Sequence, residues 1–223
     1  MPVLVADELS KEYGDVVALS DFKLSVEPGE LIALVGHNGS GKSTFLRLVA
    51  GLLEPTDGVL VVANAPAGSL KARAEVSFVP DQPVLYDDLS VNEHIEFIAR
   101  LHGELDWPER ADTLLDVLGL AHRADDLPSR FSRGLRQKTS LVLGLVRPFS
   151  ILLVDEPFVG LDPSGQTALT ELLVEAASAG AAVLVATHQL SFLDNATRCV
   201  ALRDGQTEFS GKVDHNRIQA LLG

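Results

Sequence analysis

The chain is poor in cysteine, in basic residues and in long apolar runs, and each shortage narrows what it can be. Only Cys199 is present among 223 residues. No disulfide can form within the chain, which fits a reducing compartment. Lys and Arg number 18 against 31 Asp and Glu, a formal net charge of −13. A general basic surface is absent, so no nucleic-acid partner is expected. One local basic cluster remains, at Arg130, Arg133, Arg136 and Lys138. No uncharged apolar stretch reaches the ~18 residues of a membrane span. The nearest, residues 141–154, is interrupted by Arg147-Pro148. The N-terminus shows no basic region ahead of an apolar segment, so no signal peptide is expected. Low-complexity tracts and internal repeats are also missing, and with 46% hydrophobic residues the chain can bury a real core. Its length suits one α/β domain, or one core carrying a small insertion.

What is present begins with residues 31–44. Leu31-Ile-Ala-Leu-Val precedes Gly36-His37-Asn38-Gly39-Ser40-Gly41-Lys42-Ser43-Thr44, and Phe-Leu-Arg-Leu-Val continues with helical spacing. This is G-x-x-x-x-G-K-[ST] between a predicted strand and a predicted helix. The glycines let the loop curl so that several N–H groups point inward. The helix N-terminus adds partial positive charge. Lys42 can reach β- and γ-phosphates, and the Ser43 hydroxyl can ligate Mg²⁺. The alternative is an ordinary Gly-rich turn. The four fixed positions coincide by chance in roughly one chain in a hundred of this size, and the flanking elements lower that further. Nucleoside triphosphate binding follows.

Elsewhere, strands are expected at residues 3–5, 22–26, 59–62, 76–79, 151–154, 181–186 and 198–202, with one more ending at Phe209. Helices are expected over 42–52, from a Ser90–Glu93 capping box to Leu101, from Asp106 to Gly119, and over 132–146. Another runs from an Asp162 N-cap with Pro163 at N1 to Ala177, and a short helix closes the chain. Strands alternating with helices predict a mostly parallel sheet, with an antiparallel addition from the early strands. Residues 84–148 read as a helical subdomain inserted in a core of 1–83 and 149–223.

Asp155-Glu156 follows the apolar run at 151–154, at the strand end where open α/β sheets bind ligands. Asp155 is suited to hold Mg²⁺ through water. Glu156 is placed to orient an attacking water. The alternative is a solvated loop pair. The upstream glycine loop favours the functional reading.

At this point the residues match a family. The loop at 36–44, Gln82, Ser132-Arg-Gly-Leu-Arg-Gln, Asp155-Glu156-Pro157, Gly160-Leu161-Asp162-Pro163 and His188 resemble, in that order, the ATP-binding cassette ATPases of ABC transporters. The resemblance spans essentially the whole chain. It implies a P-loop NTPase core of RecA-like type and a dimer. It also implies ATP and Mg²⁺ as cofactors, and hydrolysis coupled to transport. Tyr13 resembles the aromatic that stacks on adenine; the alternative is a residue of the strand surface. Gln82 resembles the residue that reaches Mg²⁺ and the attacking water, and His188 the histidine that contacts the γ-phosphate. Ser132 and Gly134 resemble the signature that meets the nucleotide of the opposite subunit, with Asp162 across that interface. Val84-Leu85-Tyr86 and the helix after Ser90 resemble the surface that docks a membrane permease, or else simply a core helix face. The chain would then sit in the cytoplasm, on the inner face of the membrane.

The signature departs from the usual Leu-Ser-Gly-Gly-Gln. Arg133 replaces a glycine and Leu135 the glutamine. Leu135 cannot make a side-chain hydrogen bond, and Arg133 keeps the backbone contact only where φ need not be positive. This variant resembles exporter cassettes whose membrane part is a separate chain. An importer subunit and a soluble, non-transport ABC ATPase are the alternatives. A GTPase would need Asn-Lys-x-Asp, which is absent, and a kinase acceptor site is not evident.

Overall fold

The computed structural model describes residues 1–222. Its strands are β1 (Leu4–Tyr13), β2 (Val16–Val26), β3 (Leu31–Val35), β4 (Asp57–Val62), β5 (Ala65–Pro66), β6 (Val76–Val79), β7 (Ile151–Asp155), β8 (Ala182–Ala186), β9 (Arg198–Arg203) and β10 (Gln206–Gly211). Its helices are α1 (Lys42–Val49), α2 (Leu70–Glu75), α3 (Val91–Leu101), α4 (Trp107–Val117), α5 (Arg133–Leu145), α6 (Pro163–Ser178) and α7 (His215–Leu222).

β3, β7 and β8 are buried at every position. Strands with both faces covered read as unbroken apolar runs and belong in a parallel sheet. They form the middle of a six-stranded sheet, order β10-β9-β3-β8-β7-β6. β3 runs parallel to β8 and β9, and β7 parallel to β8. β10 turns back on β9 through Asp204 and Gly205, both at positive φ, as a tight hairpin turn of matching twist requires.

A second, antiparallel sheet has the order β2-β1-β4-β5. Its first hairpin is longer than the pattern of residues 3–26 predicts. Register shifts break β1 at Ala6/Leu9, and Glu8 and Asp21 hold positive φ. Bulges reset the period-two alternation, which hides the strand from a pattern reading. Phe22 of β2 packs on Phe45 of α1, ring centroids 4.6 Å apart, so helix and hairpin share one core.

The Ser90–Glu93 capping box forms as expected, each side chain bonding the other's backbone N–H. Asp106 precedes α4 but makes no side-chain cap; Glu104 accepts its N–H instead. α2 is a six-residue turn capped by Ser69, too short to show a 3.6-residue period. The described residues group into two compact units. One holds Met1–Phe78, Phe149–Glu156 and the chain from Leu173 onward; the other holds Val79–Pro148 and Pro157–Leu172.

Candidate functional site

In the first unit three parallel strands deliver the chemistry to one edge. β8 lies between β3 and β7, with Ala186 opposite both Leu34 and Asp155. The residues just beyond are Gly36, Glu156 and His188. Their convergence is thus a consequence of strand order.

The loop after β3 is shaped by close approach. Gly36 has φ 154°, and a Cβ there would strike the Leu202 carbonyl and the Ser40 side chain. Gly41 caps α1 in a left-handed conformation, against Ala18 and Leu19 of β2. The hairpin therefore abuts the loop. His37, Asn38 and Gly39 are exposed, whereas Ser40 is buried. Thr44 is half-buried in the first turn of α1.

Lys42 is 5% exposed. Its Nζ donates to the Gly36 carbonyl at 2.7 Å and the His37 carbonyl at 3.1 Å. Burial holds its ammonium below the usual lysine range, while Glu156 and then Asp155 push the other way. The nearest Glu156 oxygen is 4.0 Å away. Ser43 Oγ donates to Asp155 Oδ1 at 3.0 Å, and Asp155 is 1% exposed.

Glu156 stands at φ 45°, which costs a residue with a Cβ ~1–2 kcal/mol. Its N–H donates to the Ala186 carbonyl at 2.8 Å, which ties the turn to β8. Strain held in place by the sheet aims the carboxylate off the strand end. His188 Nδ1 lies 2.8 Å from Glu156 Oε2. An ionised carboxylate only accepts, so Nδ1 carries the proton there.

The loop and its neighbours fit a triphosphate and a hard cation. Ser40 Oγ is buried with no hydrogen-bond partner among the described residues. The Ser43 hydroxyl and Asp155 carboxylate are the oxygen donors that Mg²⁺ prefers.

Tyr13 ends β1 and is 45% exposed. Lys11 Nζ lies 5.2 Å from its ring centroid and also donates to the Glu54 carbonyl at 2.9 Å. The lysine holds the ring without covering it.

The second unit holds Gln82, Ser132, Gly134 and Asp162. Ser132 is the N-cap of α5, its Oγ accepting the Leu135 N–H. A Cβ on Gly134 would strike the Gly160 carbonyl, so this signature glycine is a matter of space. Arg133 is absent from the residues at positive φ. Its replacement of a glycine therefore carries no backbone strain. Leu135 is half-buried. Lys138 Nζ pairs with Asp162 Oδ1 at 3.2 Å, and Ser164 Oγ donates to Asp162 Oδ2 at 2.6 Å. The Ser164 bond and then Lys138 hold the Asp162 carboxyl below its ordinary range. Gln82 is exposed, beside Asp81, whose carboxylate accepts from Arg133 at 3.2 Å. Sequence reading missed the Asp81 and Lys138 pairings. The basic cluster around Arg133 was the only signal for them.

Comparison with known proteins points the same way. A family model described as ABC transporter matches residues 19–159. The SkfA peptide export ATP-binding protein SkfE of Bacillus subtilis is 34% identical over 209 residues, covering 92% of this chain and 87% of that protein. The sulfate/thiosulfate import ATP-binding protein CysA of Synechocystis sp. is 36% identical over 162 residues, covering 71% of this chain and 46% of that protein. The dimeric structure of MJ0796, a bacterial ABC transporter cassette, aligns with TM-score 0.87 and 27% identity, over 95% of this chain and 99% of that one. The chain belongs to the ABC transporter family, as an ATP-binding subunit built on a P-loop ATPase cassette.

Proposed function

We propose that this chain hydrolyses MgATP as one half of a head-to-tail dimer, and so powers export through a separate membrane permease. The observation that carries the reading is Glu156. It sits on strained backbone, hydrogen-bonded to His188 and 4.0 Å from the buried Lys42. That is a carboxylate presented beside a phosphate-binding cation, suited to accept a proton from water.

Each residue has a task. The loop N–H groups of 36–44 and Lys42 bind the phosphates. Ser43 and Asp155 are the residues of the first unit that would hold Mg²⁺, and the family resemblance assigns Gln82 to the same ion. When bound, the ion supplies charge neutralisation at the phosphate oxygens. Glu156 orients the water, and His188 fixes the carboxylate and faces the γ-phosphate. Tyr13 stacks on the adenine. Ser132 and Gly134 complete the site of the opposite copy, with Asp162 at the interface. Completion only on closure couples hydrolysis to motion.

The permease surface has support in the second unit. His94 is buried. Its Nδ1 donates to the Ser90 carbonyl at 2.7 Å and its Nε2 accepts the Tyr86 N–H at 2.8 Å. The segment is thereby pinned, while Val84, Tyr86 and Phe97 remain 90%, 56% and 42% exposed. Tyr86 meets Phe97 edge-on, centroids 5.7 Å apart. A pinned apolar patch of this kind suits a protein partner. No helix among the described residues is long and apolar enough to cross a membrane. In this proposal the permease is another chain, met at the cytoplasmic face.

Export is favoured by the signature variant and by the likeness to a protein named for peptide export. Import is the second reading, favoured by the likeness to a sulfate/thiosulfate import protein. Two measurements test the whole. Glu156→Gln should retain ATP while hydrolysis falls ~10²–10⁴-fold, and unchanged turnover would remove Glu156 from its role. Purification from membranes should bring a polytopic partner. In vesicles containing both chains, the side on which cargo accumulates decides direction.

A further inference from the structure

α5 opens on charges that its own dipole disfavours. Its first four residues include Arg133 and Arg136, and the first turn has no acid. A helix N-terminus carries partial positive charge and is stabilised by anions. A local conflict of this kind marks a residue kept for something other than stability. Lys138 has its charge met by Asp162, its side chain only 16% exposed. Arg133 differs. Its side chain is 61% exposed and it holds Asp81 through one contact of 3.2 Å. An exposed pair of this kind is weak and easily exchanged. Each copy also carries a net charge of −13, so two copies repel unless cations face the contact.

We propose that Arg133 senses the nucleotide across the dimer: its guanidinium leaves Asp81 for the terminal phosphate of ATP bound by a second copy. This rests on the head-to-tail dimer proposed above. Arg133 lies between Ser132 and Gly134, the residues that would meet that phosphate, and its backbone is not among the positive-φ positions. The planar fork of donors matches phosphate oxygens. A terminal phosphate outbids a single carboxylate, whereas ADP offers none at that position. Asp81 precedes Gln82, so the same exchange releases the neighbour of Gln82. Where the signature keeps its glycine, neither contact exists.

The test is dimerisation of the full chain carrying Glu156→Gln, followed by sedimentation with ATP or ADP. The parent should dimerise with ATP and stay monomeric with ADP. A parent that stays monomeric in ATP overturns the dimer reading and this proposal together. Arg133→Ala should weaken the ATP dimer ~tenfold or more, with ATP binding by the dilute monomer unchanged. Arg133→Lys should recover part of the loss. Asp81→Asn should tighten the dimer, and the double variant should match Arg133→Ala. A parent that dimerises while Arg133→Ala dimerises equally well overturns the role of Arg133 and leaves the dimer standing.

Discussion

Lys42 and Arg133 are the two cations proposed above to meet phosphate, yet Lys42 is 5% exposed and the Arg133 side chain 61%. Lys42 is fastened to two loop carbonyls, and the loop is shaped around Gly36 and Gly41, where a Cβ would clash. Asp155 is buried behind it. Arg133 stands on a helix end, held by one solvent-facing carboxylate. The first half-site is organised by burial, where rearrangement is expensive. The second is organised by surface pairs that trade partners cheaply. A site completed by closure needs both kinds. One half must keep its geometry while it waits, and the other must be able to let go.

That contrast can be broken by experiment. The largest effect is expected at Lys42. Lys42→Ala should weaken ATP binding by ~2–5 kcal/mol, because it leaves the buried Asp155, the nearby Glu156 and the phosphates without their cation. Titration with ATP measures it, and a small loss would mean burial adds nothing. Gly36→Ala should come next, lowering stability by ~1–3 kcal/mol through overpacking against Leu202 and Ser40. Chemical denaturation should show this before any nucleotide is added. Tyr13→Ala should then weaken ATP binding by ~1–3 kcal/mol with thermal stability nearly kept, since the ring is half exposed. Tyr13→Phe should be close to neutral. The smallest effect belongs to the second unit. Ser132→Ala should cost ~1 kcal/mol as a lost N-cap, with ATP binding by the monomer intact. A Ser132 effect on monomer binding as large as that of Lys42 would erase the distinction between the halves.

The loop at 36–44 was legible because its motif is local, nine consecutive residues between a strand and a helix. The Ser90–Glu93 box was legible for the same reason. The Glu156–His188 bond was not, as 32 positions separate its partners. Neither was the positive φ of Glu156, since nothing in its side chain calls for it. The first hairpin was half seen, because bulges near Glu8 and Asp21 interrupt its alternation. Asp106 opens α4 as its place before Trp107-Pro108 suggests, but its side chain makes no cap. At Arg133 the question left open was whether a non-glycine residue would strain the backbone, and it does not.

By itself the sequence determined which chemical groups are available: a glycine loop with its lysine and hydroxyl, two acids at a strand end, a histidine at another, and a signature altered at Arg133 and Leu135. Such properties depend on residues close together in the chain. Tertiary structure alone decided which of these groups meet. β8 inserts between β3 and β7, which sets His188 beside Glu156, and the fold of the second unit sets Arg133 beside Asp81. The physical reason is that strand order and long-range pairing follow from how crossovers pack on the whole sheet. No local pattern of residues carries that information.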